Sequence, residues 1–216
     1  RKGLGLESLT NVKNCINSMV ADTARINRVE LGTRLSYDMV INWGNTHSHI
    51  FDEWDNIVNT PWAIAKSSSK GSFRKLLFDN GLSMTTYYNE IPPFDGTTKY
   101  VVRPTSHFGG KDLYVVKTLA EYYDVKRRYN NVYASVFVDK VKEFRVFVAN
   151  GRAVYVVDKI VNDTNAVAWN VHQGGRFAAV SWGNWNLNVV RNAIKAVDLA
   201  GLDFGAVDVI VDSDGK

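Results

Sequence analysis

The clearest pattern in the sequence is a series of short apolar or alternating runs between Lys99 and Lys159, interrupted by one helical segment. Runs with a period of two predict β-strands. The expected strands are residues 99–104, 113–116, 132–138 and 143–149, with a hairpin partner that ends at Lys159. Asn150-Gly151 lies between two apolar alternating runs and is a strong signal for a tight hairpin. The middle of the chain is therefore predicted to be rich in β-structure.

Helical spacing of apolar residues appears in four other segments. The expected helices are residues 8–25, 70–79, 118–129 and 187–200. The serine run 67–69 stands where the second helix needs an N-cap, and Asn80-Gly81 is a favoured helix stop. Thr118 and Glu121 have the spacing of a capping box. Together with the strands, these segments predict an α+β protein.

Shorter strands are expected in the rest of the chain, at residues 38–44, 85–88, 168–171 and 206–211. Residues 45–59 carry His47 and His49 among several carboxylates, but the spacing is not that of a recognised zinc site, so a solvated loop is the favoured interpretation.

Composition narrows the class of protein only moderately. The 216 residues are 45% hydrophobic and 22% charged, which is ordinary for a globular chain of one large domain or two small lobes. Cys15 is the single cysteine, so an internal disulfide framework is excluded and a reducing, cytoplasmic location is expected. We find no signal peptide and no apolar run near the ~20 residues that span a bilayer. The chain opens at Arg1 and closes in a turn at Lys216, and both ends are expected to be cut points.

Candidate chemistry centres on a glycine pair between two predicted strands. Gly109 and Gly110 allow backbone N–H groups to approach a ligand closely. Cationic residues stand on the segments around this pair: Arg103, Lys111, Arg145 and Lys159. Several fixed cations with backbone donors suit a polyphosphate. An ordinary surface turn explains the glycines equally well, and no Walker sequence is present.

Asp208 is the most informative single residue, because it lies inside a Val-Ile strand. A carboxylate in such a place must be paired, protonated or bound to a cation. A salt bridge to an arginine or lysine is the simpler explanation, while magnesium is favoured if a phosphate site lies nearby. In residues 143–148 the alternation puts Glu143 and Arg145 on one face of a strand. Asn170 and His172 share a face in the same way.

As an ordered series, these segments resemble an ATP-grasp ligase, in particular the branch of glutamate-adding enzymes and related carboxylate–amine ligases. The matching segments are Ser69-Lys70 with Arg74, Tyr100 to Pro104, Gly109 to Leu113, Ser135 to Asp139, Glu143 to Val146, Val157 to Lys159, Asn170 to Gly175 and Gly205 to Asp208. The resemblance extends from about Asn42 to Lys216. Arg103 departs from it, since the family normally has lysine there. The family's second metal-binding acid, in a Glu-x-Asn motif, would follow Lys216.

The resemblance implies two lobes, each an antiparallel sheet with helices, and an ATP cleft between them. The implied divisions are a partial α/β segment at residues 1–65, a small lobe with the glycine flap at 66–134, and a C-terminal lobe at 135–216 that ends before its last strand.

The resemblance also implies an ATP- and magnesium-dependent enzyme that joins a carboxylate to an amine through an acyl phosphate. The amine acceptor would be a small molecule, a peptide or a protein tail. The implied ATP-binding residues are Lys70, Arg103, Gly109, Gly110, Lys111, Ser135, Val136, Phe137, Val138, Asp139 and Lys159. The implied catalytic residues are Arg145, Lys159, Asn170 and His172, and the metal ligand is Asp208.

Three other classes of function fit the sequence less well. A nucleotide-binding protein without ligase activity is favoured if the last strand is truly missing. A nucleic-acid-binding module could use Lys126-Arg127-Arg128, but a net charge of +4 with interspersed signs is weak support. A nucleotidyl-transferring ligase would need a Lys-x-Asp-Gly motif, and the sequence has no clear one.

Overall fold

The structure is a computed structural model that describes residues 4–19, 39–47, 56–106, 112–161, 169 and 175–215. The chain divides into two compact units, residues 1–61 and 62–216. None of the described helices is both long enough and apolar enough to cross a membrane.

The first unit contains one helix and a pair of short strands. These elements are α1 (Leu4–Met19), β1 (Val40–Ile41) and β2 (Ile57–Val58). β1 and β2 pair in parallel. The strand expected at 38–44 is limited to β1, because the Asn42 side chain bonds both the backbone N–H and the carbonyl of Asn45 and turns the chain.

The second unit begins with two helices and a four-stranded antiparallel sheet. The elements are α2 (Pro61–Ser68), α3 (Lys70–Asp79), β3 (Thr86–Tyr88), β4 (Tyr100–Pro104), β5 (Tyr114–Val116), α4 (Leu119–Arg128) and β6 (Val132–Val136). The strand order is β3-β6-β4-β5. We call this the first sheet. α4 packs on one of its faces, over a core that includes Tyr100, Val102 and Val125.

A second four-stranded antiparallel sheet follows. Its elements are β7 (Lys140–Ala149), β8 (Arg152–Ile160), β9 (Arg176–Ala179), a 3-10 helix (Trp182–Asn184), α5 (Leu187–Ala200) and β10 (Phe204–Asp212). The strand order is β10-β7-β8-β9. The buried face of this second sheet packs against α5 through a core that includes Val146, Val156 and Val197. Its other face carries polar and aromatic side chains.

Several local predictions are confirmed. Asn150 (φ 48°) and Gly151 (φ 68°) form the two-residue turn of the β7–β8 hairpin, where both residues need a positive φ. Thr118 and Glu121 form a complete capping box at the start of α4. Gly201 (φ 75°) ends α5.

Other local predictions were incomplete or wrong. Ser69 precedes α3, but its side chain makes no capping bond to that helix. The serine run 67–69, predicted to cap α3, instead forms the last turn of α2 as far as Ser68. The sequence pattern predicts neither α2 nor β9. β6 ends at Val136 rather than at residue 138. The helix end expected at residues 20–25 and the strand expected at 168–171 lie outside the described residues, apart from Trp169.

The α+β class and its organisation into antiparallel sheets with helices are confirmed. The first sheet lies within residues 86–136 and the second within residues 140–212. The finer divisions at 1–65, 66–134 and 135–216 stay predictions.

Candidate functional site

The face of the second sheet that points away from α5 collects the charged residues of three strands. In the strand register Asp208 on β10 lies opposite Arg145 on β7, and Arg145 lies opposite Val157 on β8. Because side chains alternate along a strand, Glu143 and Lys159 point to this same face. Residues far apart in sequence therefore meet in one charged cluster.

Asp208 forms ion pairs with two cationic side chains. The Arg145 guanidinium donates from Nε to Oδ1 at 2.7 Å and from Nη2 to Oδ2 at 2.9 Å. Lys159 Nζ lies 2.9 Å from Oδ2. This two-point pairing is the strong form of an arginine–carboxylate contact. Asp208 is therefore ion-paired, as the simpler sequence interpretation required.

Glu143 occupies the buried side of the same cluster. One of its carboxylate oxygens accepts from Lys159 and the other accepts from Lys140. Glu143 and Lys159 are both almost fully buried. Lys140 also lies over the Trp169 ring, at 4.8 Å from its centroid. A chain of alternating charges thus runs from Lys140, at the start of β7, to Arg145.

The cluster contains three cations and two carboxylates, so one positive charge remains uncompensated. Burial raises the pKa of Asp208, but the hydrogen bonds and charges of Arg145 and Lys159 outweigh it and hold this pKa below its ordinary value. The hydrogen bond to Asp208 raises the pKa of Arg145 despite partial burial. Asp208 and Arg145 are therefore both charged at neutral pH, and the surplus positive charge among the described residues favours an anionic ligand.

An aromatic ring borders this cluster. The Arg145 guanidinium lies 5.1 Å from the ring centroid of Phe177 on β9, within cation–π distance. Phe177 lies opposite Lys159 in the register of β8 and β9. The ring and Asp208 together fix the orientation of the guanidinium.

A second group of the predicted ATP-binding residues lies on or next to the first sheet. Arg103 is opposite Tyr133 in the pairing of β4 with β6, on the face away from α4. Burial, with a smaller effect from the nearby Arg74 of α3, lowers the pKa of Arg103, while Tyr133 opposes the change. α3 lies on this face as well, because its Gly71 fits directly against the Tyr88 ring. Lys70, which begins α3, immediately precedes that contact.

Residues 137–139 connect the two sheets. β6 of the first sheet ends at Val136, and β7 of the second begins at Lys140. The backbone N–H of Phe137 donates to the Lys99 carbonyl at 2.9 Å, which holds the start of the connection against β4. The predicted segment 135–139 thus combines the end of β6 with the link between the sheets.

Five predicted residues lie outside the described part of the chain: Gly109, Gly110, Lys111, Asn170 and His172. The structure does describe Asp112, which follows the glycine segment and accepts a hydrogen bond from the Tyr129 hydroxyl at 2.8 Å. Tyr129 in turn shares a 2.7 Å hydrogen bond with Tyr114 of β5. Asp112 is therefore held to the end of α4.

Three residues of this site are not among the site residues predicted from the sequence: Glu143, Lys140 and Phe177. The alternation within 143–148 does put Glu143 on the face of Arg145, so a signal for it existed. Lys140 carries no such signal, because strict alternation puts it on the opposite face from Arg145 and it lies where the pairing of β7 with β10 is irregular. The position of Phe177 depends on the register of β8 with β9. The basic run 126–128 is partly neutralised, since Arg127 pairs with Asp124 within α4.

The donor set of the cluster fits magnesium only in part. Asp208 supplies a hard carboxylate ligand on an accessible face, and magnesium typically uses one or two carboxylates with phosphate oxygens. Within the described residues, no group of three or more histidine, cysteine, aspartate or glutamate side chains could hold a metal ion. Asp208 would therefore need phosphate oxygens of a ligand to complete a magnesium site.

Comparison with solved structures identifies the fold. The ATP-grasp ligase PsnB complexed with a minimal precursor matches with a TM-score of 0.55 and 17% identity, over 78% of this chain and 56% of PsnB. An L-amino acid ligase from Bacillus licheniformis matches with a TM-score of 0.59 and 17% identity, over 78% of this chain and 43% of that one. The D-alanine–D-alanine ligase from Bacillus anthracis complexed with ATP matches at 0.58 and 13% identity, over 79% and 60% of the two chains.

The chain therefore has the fold of these ATP-grasp ligases, and it spans about half of their length. No protein-family model matches the sequence. No curated protein matches it either.

Proposed function

We propose that this chain is the ATP-binding part of a ligase that joins a carboxylate to an amine through an acyl phosphate. The observation that carries the proposal is the cluster of Arg145, Lys159 and Asp208 on the exposed face of the second sheet, in an ATP-grasp fold. The structural neighbours are ligases, and in one of these structures PsnB is complexed with a minimal precursor, Mg and ADP.

The nucleotide would lie between the two sheets, with its adenine at the connecting segment. Ser135, Val136, Phe137, Val138 and Asp139 would provide the adenine contacts. The phosphates would contact cations from both sheets and from the glycine loop: Lys70, Arg103, Gly109, Gly110, Lys111 and Lys159. Asp208 would hold magnesium together with phosphate oxygens, which would supply further neutralisation of the phosphate charge.

In the proposed reaction a substrate carboxylate oxygen attacks the γ-phosphorus of ATP. The new oxygen–phosphorus bond forms as the bond to the β-phosphate oxygen breaks, and ADP leaves with the bonding electrons. The amine then attacks the acyl carbon, loses a proton and expels inorganic phosphate. Arg145 and Lys159 would stabilise the negative charge on the transferred phosphoryl group. Asn170 would support the phosphates, and His172 would face the acceptor.

The test is nucleotide binding by calorimetry, together with ADP release in the presence of a panel of amino acids and peptides. Arg145→Ala and Lys159→Ala should each lower turnover by about 10²-fold or more, as expected for removing a charge that stabilises a transition state. Lys142→Ala is the matched control, because this exposed lysine of β7 points to the opposite face of the strand.

Full turnover in both variants would remove the assigned roles of Arg145 and Lys159. A wild-type protein that does not bind ATP with magnesium would contradict the proposal as a whole. ATP binding without ADP release for any carboxylate would instead indicate a nucleotide-binding protein without ligase activity.

A further inference from the structure

An aromatic row lies next to the charged cluster on the same face of the second sheet. Across three strands the register places Ala206 opposite Phe147, and Phe147 opposite Tyr155. We call Phe147 and Tyr155 the aromatic row. The two rings lie 5.9 Å apart between centroids, and Phe147 and Tyr155 are 37% and 47% exposed. Large apolar groups that face outward beside a charged site indicate a surface for binding.

The sheet is distorted where the row forms. The pairing of β7 with β8 shifts between Phe147 and Val148, because Tyr155 and Ala153 are their respective partners and Val154 is the extra residue. Such β-bulges bend the strand and redirect side chains, and they are frequent beside active sites. Tyr155 shares a face with Phe147 through the regular register that precedes the shift, and the shift turns Ala153 toward the core beneath α5.

The row has a defined position relative to Arg145. Phe147 is two residues beyond Arg145 on β7, which corresponds to about 7 Å along the strand. It lies on the side of Arg145 away from residues 137–139, where the adenine is proposed to lie. A group bound on the aromatic row would therefore be separated from the nucleoside by the charged cluster.

We propose that the aromatic row binds the apolar or aromatic side chain of the carboxylate substrate. This inference rests on the proposed function, because it takes Arg145 as the place where the carboxylate is activated. A carboxylate held at Arg145 by the surplus positive charge projects its side chain onto Phe147 and Tyr155. The substrate is thus an amino acid, peptide terminus or related acid with a hydrophobic group within a few bonds of the reacting carboxylate.

The experiment is a calorimetric titration of acetate, hexanoate and hydrocinnamate, with and without a non-hydrolysable ATP analogue and magnesium. Hydrocinnamate should bind about 10-fold more tightly than acetate, and hexanoate should lie between them. Phe147→Ser and Tyr155→Ser should each remove most of this preference and leave binding of the ATP analogue unchanged. Tyr123→Ser is the matched control, since Tyr123 is a similarly exposed tyrosine on α4.

The outcomes separate this inference from the proposed function. If the ATP analogue binds but the three acids have the same relative affinities in all proteins, the aromatic row is not a substrate site. An equal loss of the preference in Tyr123→Ser would overturn the inference too. A concentration-dependent dimer that Phe147→Ser abolishes, without discrimination among the acids, would assign the row to a second copy of the chain. A preserved preference for hydrocinnamate without any nucleotide binding would support the row and contradict the proposed function.

Discussion

Glu143 holds the charged cluster together from its buried side. Its carboxylate pairs with both Lys140 and Lys159, and neither Glu143 nor Lys159 has appreciable contact with solvent. Removing one partner of such a group leaves a buried charge uncompensated, which is far more costly than losing an exposed ion pair. The position of Lys159 beside Asp208 therefore depends on Glu143.

We expect Glu143→Gln to lower the free energy of unfolding by about 3 kcal/mol, because two cations lose their counter-charge in a buried place. Urea denaturation at neutral pH measures the change. Asp79→Asn is the control, since it removes an exposed i,i+4 ion pair with Lys75 and should cost less than about 1 kcal/mol. Equal small effects in the two variants would show that the Glu143 network contributes no more than a surface pair.

Asp208 should make the stability of the protein depend on acidic pH. Its pKa is lowered in the folded protein, so its contribution is present above the unfolded value of about 4 and is lost as the pH falls through the folded value. Asp208→Asn should therefore destabilise the protein at neutral pH, by about 1 kcal/mol because the group is substantially exposed. The difference from wild type should shrink below about pH 4.

The measurement is denaturant unfolding across a pH series, with Glu90→Gln as a control that removes an exposed carboxylate outside the cluster. High salt should also reduce the effect of Asp208→Asn, since part of the ion pair is accessible to solvent. A difference that stays constant through the acidic range would show that the charge of Asp208 is not responsible.

At the scale of elements, α3 is placed by a close contact with the first sheet. A Cβ added at Gly71 would lie 2.6 Å and 2.7 Å from two ring carbons of Tyr88. Only glycine allows the helix to approach β3 this closely. Since Lys70 is the neighbouring residue, the same contact sets the position of one of the proposed phosphate-binding cations.

Gly71→Ala should destabilise the protein by about 1 kcal/mol, because the cost of displacing the Tyr88 ring exceeds the gain in helix propensity. Thermal unfolding measures the change, and ATP binding should weaken in parallel if Lys70 contacts phosphate. Gly183→Ala is the control, since nothing lies within 4 Å of its added Cβ. A more stable Gly71→Ala protein would show that the ring moves aside without cost.

Elements with local signals could be predicted from the sequence. The capping box of α4, the Asn150-Gly151 turn and the glycine after α5 each determine a boundary through contacts within a few residues. α2 and β9 lack such signals. α2 is an eight-residue helix with serines in its last turn, and β9 has four residues that are defined by pairing with β8.

The candidate site could be predicted only in part, because it depends on the pairing of strands that are distant in the sequence. Alternation within β7 shows which residues share a face with Arg145, but it does not show which strands lie beside it. The pairing of Arg145 with Asp208 spans 63 residues and depends on the register of β7 with β10. From the sequence, Asp208 could form a salt bridge or bind a metal ion. Its ion-pair partners become known only from the register of the strands.

At the scale of the whole molecule, the two sheets are joined by more than the segment 137–139. Lys195 of α5 donates to the carbonyl of Asn80, at the end of α3, at 3.0 Å. Lys66 of α2 donates to the carbonyl of Leu199 in α5. Each sheet has its own hydrophobic core, and these contacts join the helices that surround the two cores.

We expect a Lys66→Ala/Lys195→Ala double variant to loosen α3 relative to the second sheet. Native-state hydrogen exchange should show faster exchange for the amides of α3, while the β7–β8 hairpin keeps its protection. Lys75→Ala is the matched control, because Lys75 lies on α3 but pairs within it, with Asp79. Uniform acceleration across both sheets would show instead that the second unit opens as a single cooperative body.

The tryptophans after β9 provide an optical probe of the site that needs no label. The rings of Trp182 and Trp185 lie 4.4 Å apart, and Trp185 Nε1 donates to the Val180 carbonyl at 2.8 Å. Indoles this close should give an exciton-coupled signal in circular dichroism. Because Val180 directly follows the strand that carries Phe177, release of that strand from β8 should separate the chromophores and abolish the couplet.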